Sequence, residues 1–492
     1  MHVNTRPQLA GIPDPARPSR SNRRWFALIV LSIAQFLVVL DATIVNIALP
    51  EMGANLGLSS SAMAAVITAY VLPFGSLLLF GGRLADRFGH RRLTLIGVTG
   101  FVAASVAAGL SISGEMLLTA RAVQGASAAL LAPAGLALVT QLFPLAADRT
   151  RALGIWAGVA GIGSAAGVLL GGLLTANLGW QSVFFINVPL GIFVIISIPL
   201  LITRGNPGTR ARLDLLGAAT ITGALVALVA SLSTAQQNGL TNPLALALLA
   251  GALVLGAAFI IIERRATSPL LPFGMFTNRN LAVGNLAMLL IGGATVSVFF
   301  VLSVYMQLVL GYSPLVAGIT QLPLAGALVL TAGAVPALSR RIGVAATLIG
   351  SLLVVAAGLV WLAFAPADAQ FAANLLGPSL LLGIGLGGSF ITATHMAVDG
   401  TGSDNAGLSG ALINTSQQIG GAIGVTVLTA FAASRTAALQ AAGSSIPEAL
   451  TGGFSWLFLG ASTIVLAAAA IVLIGHLRRP RTSHDHSTSS PS

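Results

Sequence analysis

Long apolar runs, broken at near-regular intervals by short polar connections, set the pattern of this chain. A helix needs about 20 apolar residues to cross the hydrocarbon layer of a bilayer. On that ruler the sequence predicts fourteen spanning helices. The first six cover about 25–49, 60–82, 93–112, 117–142, 153–178 and 182–203. Two more cover about 214–235 and 244–263, and the last six about 280–309, 314–338, 343–364, 371–397, 408–434 and 453–477. No connection is polar and long enough to build a soluble domain. The segment before the first span, with Pro13, Pro15, Pro18, Arg17, Arg20, Arg23 and Arg24, reads as a basic tail. The apolar run after it is too long for a cleaved signal and holds Asp41, so it reads as a retained first span.

Composition sharpens this reading. Of 492 residues, 55% are hydrophobic and 8% charged, and the mean hydropathy is +0.92, which marks an all-α polytopic membrane protein. Cysteine is absent, which excludes disulfides, thiol chemistry and cysteine-ligated metals. The net charge of +11 comes entirely from arginine among the basic residues; there is no lysine. In a soluble protein that balance suggests nucleic acid. Here the arginines flank apolar runs, which is the mark of membrane orientation, so no nucleic-acid partner is expected. Of the 24 arginines, 22 fall in the terminal tails or in the connections after spans 2, 4, 6, 8 and 10. Arg435 lies in an opposite connection and Arg121 inside a span. The positive-inside rule then places both termini in the cytoplasm.

The chain also echoes itself. Arg340-Arg341-Ile342-Gly343, after span 10, repeats the rhythm of Asp86-Arg87-Phe88-Gly89 after span 2. That equates spans 1–6 with spans 9–14. The expected division is a tail (1–24), a six-helix bundle (25–203), two inserted helices with linkers (204–279), a second six-helix bundle (280–477) and a second tail (478–492). Two such bundles around a midplane site are a recurrent transporter plan.

Scarce polar groups inside apolar runs are the candidates for chemistry. Asp41 sits deep in the first span. An intramembrane acid is costly unless it is paired, hydrated or protonated, and by default it is a functional site, here for a proton. The alternative is a neutral acid hydrogen-bonded to a neighbouring helix. Arg121 enters the fourth span at a similar depth, so it either pairs with Asp41 or snorkels to the interface. Gly82-Arg83-Leu84-Ala85-Asp86-Arg87-Phe88-Gly89-His90-Arg91-Arg92 reads as a charged hairpin, and Asp86 in it exceeds what orientation requires. The fifth span carries Gly154, Gly158, Gly161, Gly163, Gly167, Gly171 and Gly172, which suggests a tight, sliding helix interface. Gln35, Asn46, Gln124, Asn187, Tyr305, Gln307, Asn414 and Gln417 either line a polar cavity or bridge helices. No metal site is expected, and His484-Asp485-His486 in the tail has poor metal specificity.

Taken in order, these stretches resemble the major facilitator superfamily, and within it the fourteen-span drug:proton antiporters of the EmrB/QacA type. Gly82-x3-Asp86-Arg87-Phe88-Gly89-His90-Arg91-Arg92 is similar to the superfamily's signature between spans 2 and 3, with His90 in place of the usual basic residue. Leu40-Asp41-x2-Ile44-Val45-Asn46-x-Ala48-Leu49-Pro50 resembles the first-span motif of the fourteen-span group, and Arg121-x2-Gln124-Gly125 the fourth-span motif. Gly154-x8-Gly163-x3-Gly167-Val168-x2-Gly171-Gly172 resembles the antiporter motif of span 5, with Val168 where that motif has proline. Phe184-Phe185-Ile186-Asn187-Val188-Pro189-Leu190-Gly191 and Gly311-Tyr312-Ser313-Pro314-Leu315-x-Ala317-Gly318 are further matches.

The resemblance implies a major facilitator fold of fourteen helices, two six-helix bundles plus two inserted helices. It implies roles as well: proton coupling for Asp41 and Arg121, and a latch formed by Gly82, Asp86, Arg87, Gly89, Arg91 and Arg92. Asp86 would dock near Asp404–Gly407, and the span 5 glycines would form the moving interface. The expected activity is multidrug efflux: proton-coupled antiport of lipophilic small molecules out of a bacterial cell, in its plasma membrane, with antibiotic resistance as the outcome. One deep carboxylate favours monovalent cations or neutral compounds as cargo. A monomer is the expected unit, and no cofactor is expected beyond the proton gradient. The alternative on the same fold is export of one endogenous compound such as a lipid, siderophore or antibiotic. An enzyme is disfavoured, because no HExxH, GxSxG or nucleotide-binding loop is present.

Overall fold

A computed structural model describes residues 20–203, 214–239, 241–267, 269–398 and 406–477. Fourteen of its helices are long and apolar enough to cross a membrane. The first half holds α1 (Arg20–Leu56), α2 (Ser60–Phe88), α3 (His90–Gly109), α4 (Gly114–Leu142), α5 (Ala146–Leu178) and a sixth span made of α6 (Ser182–Phe185) and α7 (Asn187–Leu201). An inserted pair follows, α8 (Leu215–Asn238) and α9 (Pro243–Arg265). The second half holds α10 (Arg279–Val304), α11 (Pro314–Ile342), α12 (Val344–Ala363), α13 (Leu376–Val398), α14 (Ala406–Ala441) and α15 (Ile446–Leu477). A π-helical turn, Tyr305–Val309, extends α10, and another, Phe371–Leu375, leads into α13. Serine side chains cap α2, α4 and α11: Ser59, Ser113 and Ser313 each accept a backbone N–H of the first turn.

The charged hairpin expected at 82–92 is not a loop. Helix α2 runs to Phe88, α3 starts at His90, and Gly89 alone makes the turn at φ +93°. Gly343 does the same between α11 and α12 at φ +87°. Both glycines donate their N–H to a carbonyl four residues back, at 2.9 Å. A left-handed φ at a helix end is a glycine position. The sequence echo therefore marks one turn built twice.

The two halves repeat one set of neighbours. Helix α1 packs on α4, α5 and α7, and α10 packs on α13, α14 and α15. Helix α4 lies on α2 and α3, as α13 lies on α11 and α12. The halves meet along two main seams, α2 on α14 and α5 on α11. Helix α8 leans across the first seam, touching both α2 and α14, and packs on α9. Only 17% of the most apolar stretch of α9 is buried, so this helix lies on the outside of the molecule.

Both seams are closed at one face and parted at the other. A Cβ on Gly172 would lie 2.6 Å from the Pro314 carbonyl, and one on Gly318 2.7 Å from the Val168 carbonyl. Gly161 still meets Val329 across this seam, where a Cβ would lie 3.0 Å away; beyond it, toward the arginine-rich face, Gly154, Gly158 and Gly333 have nothing within 4 Å among the described residues. On the other seam Gly75 meets Gln418 and Gly421 meets Val71, while nothing described lies within 4 Å of Gly410. The molecule opens toward the arginine-rich face.

Proline explains part of the closed face. Pro50 lies inside α1 and has no N–H, so the Asn46 carbonyl loses its partner within the helix. Ser303 of α10 fills the vacancy from the other half, its Oγ donating at 2.8 Å. One turn further on, Gln307 Nε2 donates to the Ile47 carbonyl at 2.9 Å. Leaving a buried carbonyl unpaired costs about 1–3 kcal/mol. The double variant Ser303→Ala/Gln307→Leu is therefore expected to loosen this face. Because the chain has no cysteine, spin labels can be placed on cysteines introduced at Asn55 and Leu308 alone. Their distance distribution should gain a longer component in the variant, and an unchanged distribution would show that these bonds do not hold the face shut.

Candidate functional site

A closed polar cluster occupies the centre of the first half. Asp41 of α1 is fully buried amid Leu37, Leu40 and Ile44. Its Oδ2 accepts Arg121 Nη1 of α4 at 2.5 Å. Its Oδ1 accepts Gln124 Nε2 at 3.1 Å and Asn187 Nδ2 of α7 at 3.0 Å. Ser105 of α3 accepts both amides, at 2.8 and 3.5 Å, and donates to the Phe101 carbonyl at 2.8 Å. One carboxylate thus gathers side chains from α1, α3, α4 and α7.

Arg121 is 1% exposed, so it does not snorkel. Beyond Asp41 it donates to Gln124 Oε1 at 3.0 Å and to the Val66 carbonyl of α2 at 3.4 Å. Its guanidinium carbon lies 4.4 Å from the centre of the Tyr70 ring and 5.9 Å from that of Phe184. A cation over an aromatic face gains most where water is excluded. The motif spacing builds this shell. Arg121 and Gln124, three residues apart, share one face of α4. Gly125, the next residue, lets α4 touch the Tyr70 backbone, where a Cβ would lie 3.0 Å from its carbonyl carbon. That approach brings the Tyr70 ring under Arg121, and the Tyr70 hydroxyl in turn donates to the Val38 carbonyl of α1 at 3.3 Å.

The glycine run of α5 differs from the expected moving interface. Gly163 packs on Phe36 and Val39, Gly167 on Leu40 and Thr43, and Gly171 on Ile44 and Ile47. These three, spaced four apart, seat α5 against the turn of α1 that carries Asp41, within one half. Gly172, on another face, meets Pro314 of the second half, and Gly154 meets nothing within 4 Å among the described residues. The glycine face is split because residues four apart share a side of the helix and adjacent residues do not. With Val168 in place of proline, α5 runs unbroken from Ala146 to Leu178.

The remaining candidates scatter. Gln124 and Asn187 belong to the Asp41 cluster. Tyr305 and Gln307 belong to the closed face, Tyr305 donating to the Pro366 carbonyl and Gln307 to Ile47. Asn414 is exposed and returns to its own helix at Gly410, 3.0 Å away, and Gln417 is half-buried. Gln35 and Asn46 keep side-chain oxygens without a hydrogen-bond partner.

The expected latch is only partly formed. Asp86 is 59% exposed, with His90 Nε2 3.7 Å away. Arg91 donates to the Pro199 carbonyl at 3.4 Å, and Arg83 to the Pro269 carbonyl at 2.8 Å. Arg87 stacks on Phe88 at 5.5 Å, Arg92 is exposed, and a Cβ on Gly82 would lie 3.9 Å from Pro133. Of the expected docking point, Asp404–Gly407, the first two residues lie outside the described residues and the last two open α14. Tyr70 and Ser105 are site residues that the hydropathy pattern does not single out; their only signal is polarity inside an apolar run.

A model of the Major Facilitator Superfamily matches residues 31–425. The puromycin resistance protein of Streptomyces alboniger is 37% identical over 468 residues, 94% of this chain and 90% of that protein. The cephamycin export protein of Amycolatopsis lactamdurans is 37% identical over 94% of each chain. A multidrug resistance protein of Mycobacterium tuberculosis is 32% identical over 82% of this chain and 74% of its own length. Among solved structures, an auto-inhibited POT-family peptide transporter superposes with TM-score 0.68 at 16% identity, covering 95% of this chain and 99% of that one. A bacterial homologue of the human lysosomal transporter Spinster, inward-facing and unoccupied, superposes with TM-score 0.64 at 15% identity over 92% and 97%. These two show a shared fold.

Removing one partner of a buried ion pair costs about 3–5 kcal/mol, because the other charge stays behind unpaired. Arg121→Ala is therefore expected to lower the melting temperature in detergent. The double variant Asp41→Asn/Arg121→Gln, which removes both charges and keeps amide donors, should recover most of that loss. Equal melting of the single and double variants would show that the charges are not interdependent.

Proposed function

The chain belongs to the Major Facilitator Superfamily, and we propose that it is a proton-driven exporter of hydrophobic small molecules of the antibiotic and drug type, working by alternating access. The carrying observation is the Asp41–Arg121 pair, sealed from solvent and held from four helices of one half. No buried charged residue occurs among the described residues of α10–α15, so the charge chemistry belongs to the first half. The efflux reading is supported by relatives named for antibiotic resistance and export. The bundles 25–203 and 280–477 are the moving bodies, and 204–279 is the insertion.

In this scheme the carboxylate is ionised and paired while the molecule is open to the arginine-rich face. A proton arriving from the opposite face, after the bundles rock, adds to a carboxylate oxygen of Asp41 and removes its charge. Arg121 then keeps Gln124 Oε1, the Val66 carbonyl and the Tyr70 ring as partners, so its charge is not stranded. Loss of the proton to the arginine-rich face restores the pair. The arginine distribution supports a cytoplasmic position for that face and for both termini. The open side is then the side from which a bacterial plasma-membrane exporter collects its cargo. The proton gradient supplies the energy, no cofactor takes part, and a monomer contains the whole device.

A second reading keeps the fold and narrows the cargo to one compound made by the same cell. It is favoured by relatives named for cephamycin and for tetracenomycin C. A panel of dyes and antibiotics in vesicles separates the two: broad efflux supports the first reading, and a single transported compound the second.

In inverted vesicles with an imposed pH gradient, Asp41→Asn is expected to reduce gradient-driven efflux of a transported dye or antibiotic to background. Efflux that still follows the gradient in this variant would end the coupling scheme. Asp86 is exposed in the open form, where a latch has nothing to close. Asp86→Asn is expected to slow efflux about fivefold, corresponding to roughly 1 kcal/mol of coupling, while its dependence on the gradient persists. An unchanged rate would remove Asp86 from the latch.

A further inference from the structure

A second pair of acids lies far from Asp41 in sequence, at the base of the inserted helices. Asp214 precedes α8, and its Oδ1 caps that helix by accepting Gly217 N–H at 2.7 Å. Glu263, in the last turn of α9, is only 3% exposed. Its Oε1 accepts the Leu271 N–H of the connection to α10. The other two oxygens, Asp214 Oδ2 and Glu263 Oε2, are buried without a donor. They converge over Gly217: a Cβ there would touch Asp214 Oδ2 and lie 3.0 Å from Glu263 Oε2. Both oxygens thus crowd the same point over Gly217.

Two acceptors converge on one point, neither with a donor among the described residues. Ionised together, two neighbouring carboxylates repel, and burial adds a desolvation cost for the charged form. A single proton removes both problems, because the protonated acid becomes a donor to its neighbour. No arginine among the described residues supplies the missing positive charge. Arg264 and Arg265 follow Glu263 on α9 and are exposed. On α2, Arg83 spends a donor on the Pro269 carbonyl of the same connection, Asp86 is turned to solvent near His90, and Arg87 lies over Phe88. On α14, Arg435 sits over Trp456, near the opposite end of that helix.

We propose that Asp214 and Glu263 are a second proton-binding site, a carboxyl pair that shares one proton and locks the inserted helices to the arginine-rich end of α2. The lock is continuous. The shared proton joins α8 to α9, Glu263 fixes the backbone at Leu271, and two residues back Pro269 receives Arg83 from the signature segment. Because α8 lies across the α2–α14 seam, the state of this pair bears on a joint that must move in alternating access. Loss of the proton at alkaline pH sets two charges against each other and frees the connection.

The test uses full-length protein in nanodiscs, with Asp41→Asn as background so that its carboxyl does not contribute. Infrared spectra at neutral pH are expected to contain a protonated-carboxyl band that disappears in both Asp214→Asn and Glu263→Gln. A spin label on a cysteine introduced at exposed Thr267 is expected to become mobile as pH rises. In Glu263→Gln, whose amide donates to Asp214 without titrating, it should stay immobile across the same range. No such band, a band untouched by either substitution, or equal label mobility in both proteins would overturn the proposal. So would label immobilisation that requires added magnesium or calcium and vanishes in Glu263→Gln, since the occupant would then be a metal cation.

Discussion

One ion pair in a low-dielectric core organises the first half of this protein. Taking a carboxylate and a guanidinium out of water costs several kcal/mol per ion, and their attraction offsets that cost only with good geometry and further hydrogen bonds. Asp41 and Arg121 meet both conditions through Gln124, Asn187, Ser105 and the Tyr70 ring. Each helper comes from a different place in the sequence, so the pair constrains α2, α3, α4 and α7 together around α1. A charge placed so deep makes the packing of five spans depend on one protonatable group.

Close helix approach is the second constraint, and it follows the internal repeat. Gly163, Gly167 and Gly171 seat α5 on α1. Gly420 and Gly424 seat α14 on α10, against Leu289 and Gly293. Lipid offers apolar helices no hydrophobic reason to associate, so van der Waals contact between small residues must supply the attraction. The halves differ in what this packing encloses. In the first half it backs an ion pair; in the second, Asn285 meets Ser416 at 3.0 Å and no charged side chain is buried among the described residues. One scaffold, built twice, carries charge chemistry once.

Hydropathy made the span boundaries legible because each run must match the thickness of the hydrocarbon layer. Differences appear where polar residues continue a helix beyond that layer: Arg83, Asp86 and Arg87 read as a loop, yet they extend α2 to Phe88. Asp41, Arg121, Gln124 and Asn187 were visible as polar groups in apolar runs, but their convergence depends on helix rotation, which a transfer scale does not contain. Gly163 and Gly172 looked alike in sequence and face different halves for the same reason. Tyr70 escaped notice because an aromatic in a span is ordinary until a guanidinium is found over it. Glu263 lies at the very end of the eighth span, where hydropathy gives an acid no special place, and only the fold sets it against Asp214.

Helix α1 carries both the buried acid and the bonds that shut one face. Asp41 and Asn46 are five residues apart, about 7.5 Å along a helix axis. Pro50 frees the Asn46 carbonyl, Ser303 of the other half takes it, and Gln307 takes the next carbonyl. The glycine face of α5 supports this same stretch, from Val39 to Ile47. Under the proposed scheme, a change of charge at Asp41 would act on a short segment of α1 whose far end is tied to the other half. Coupling of that kind would require no chain of intermediates, only a tilt of α1 on loss of the Arg121 bond. Proline is what puts that tie where it can be broken, because a carbonyl with a partner in its own helix would have no need of Ser303.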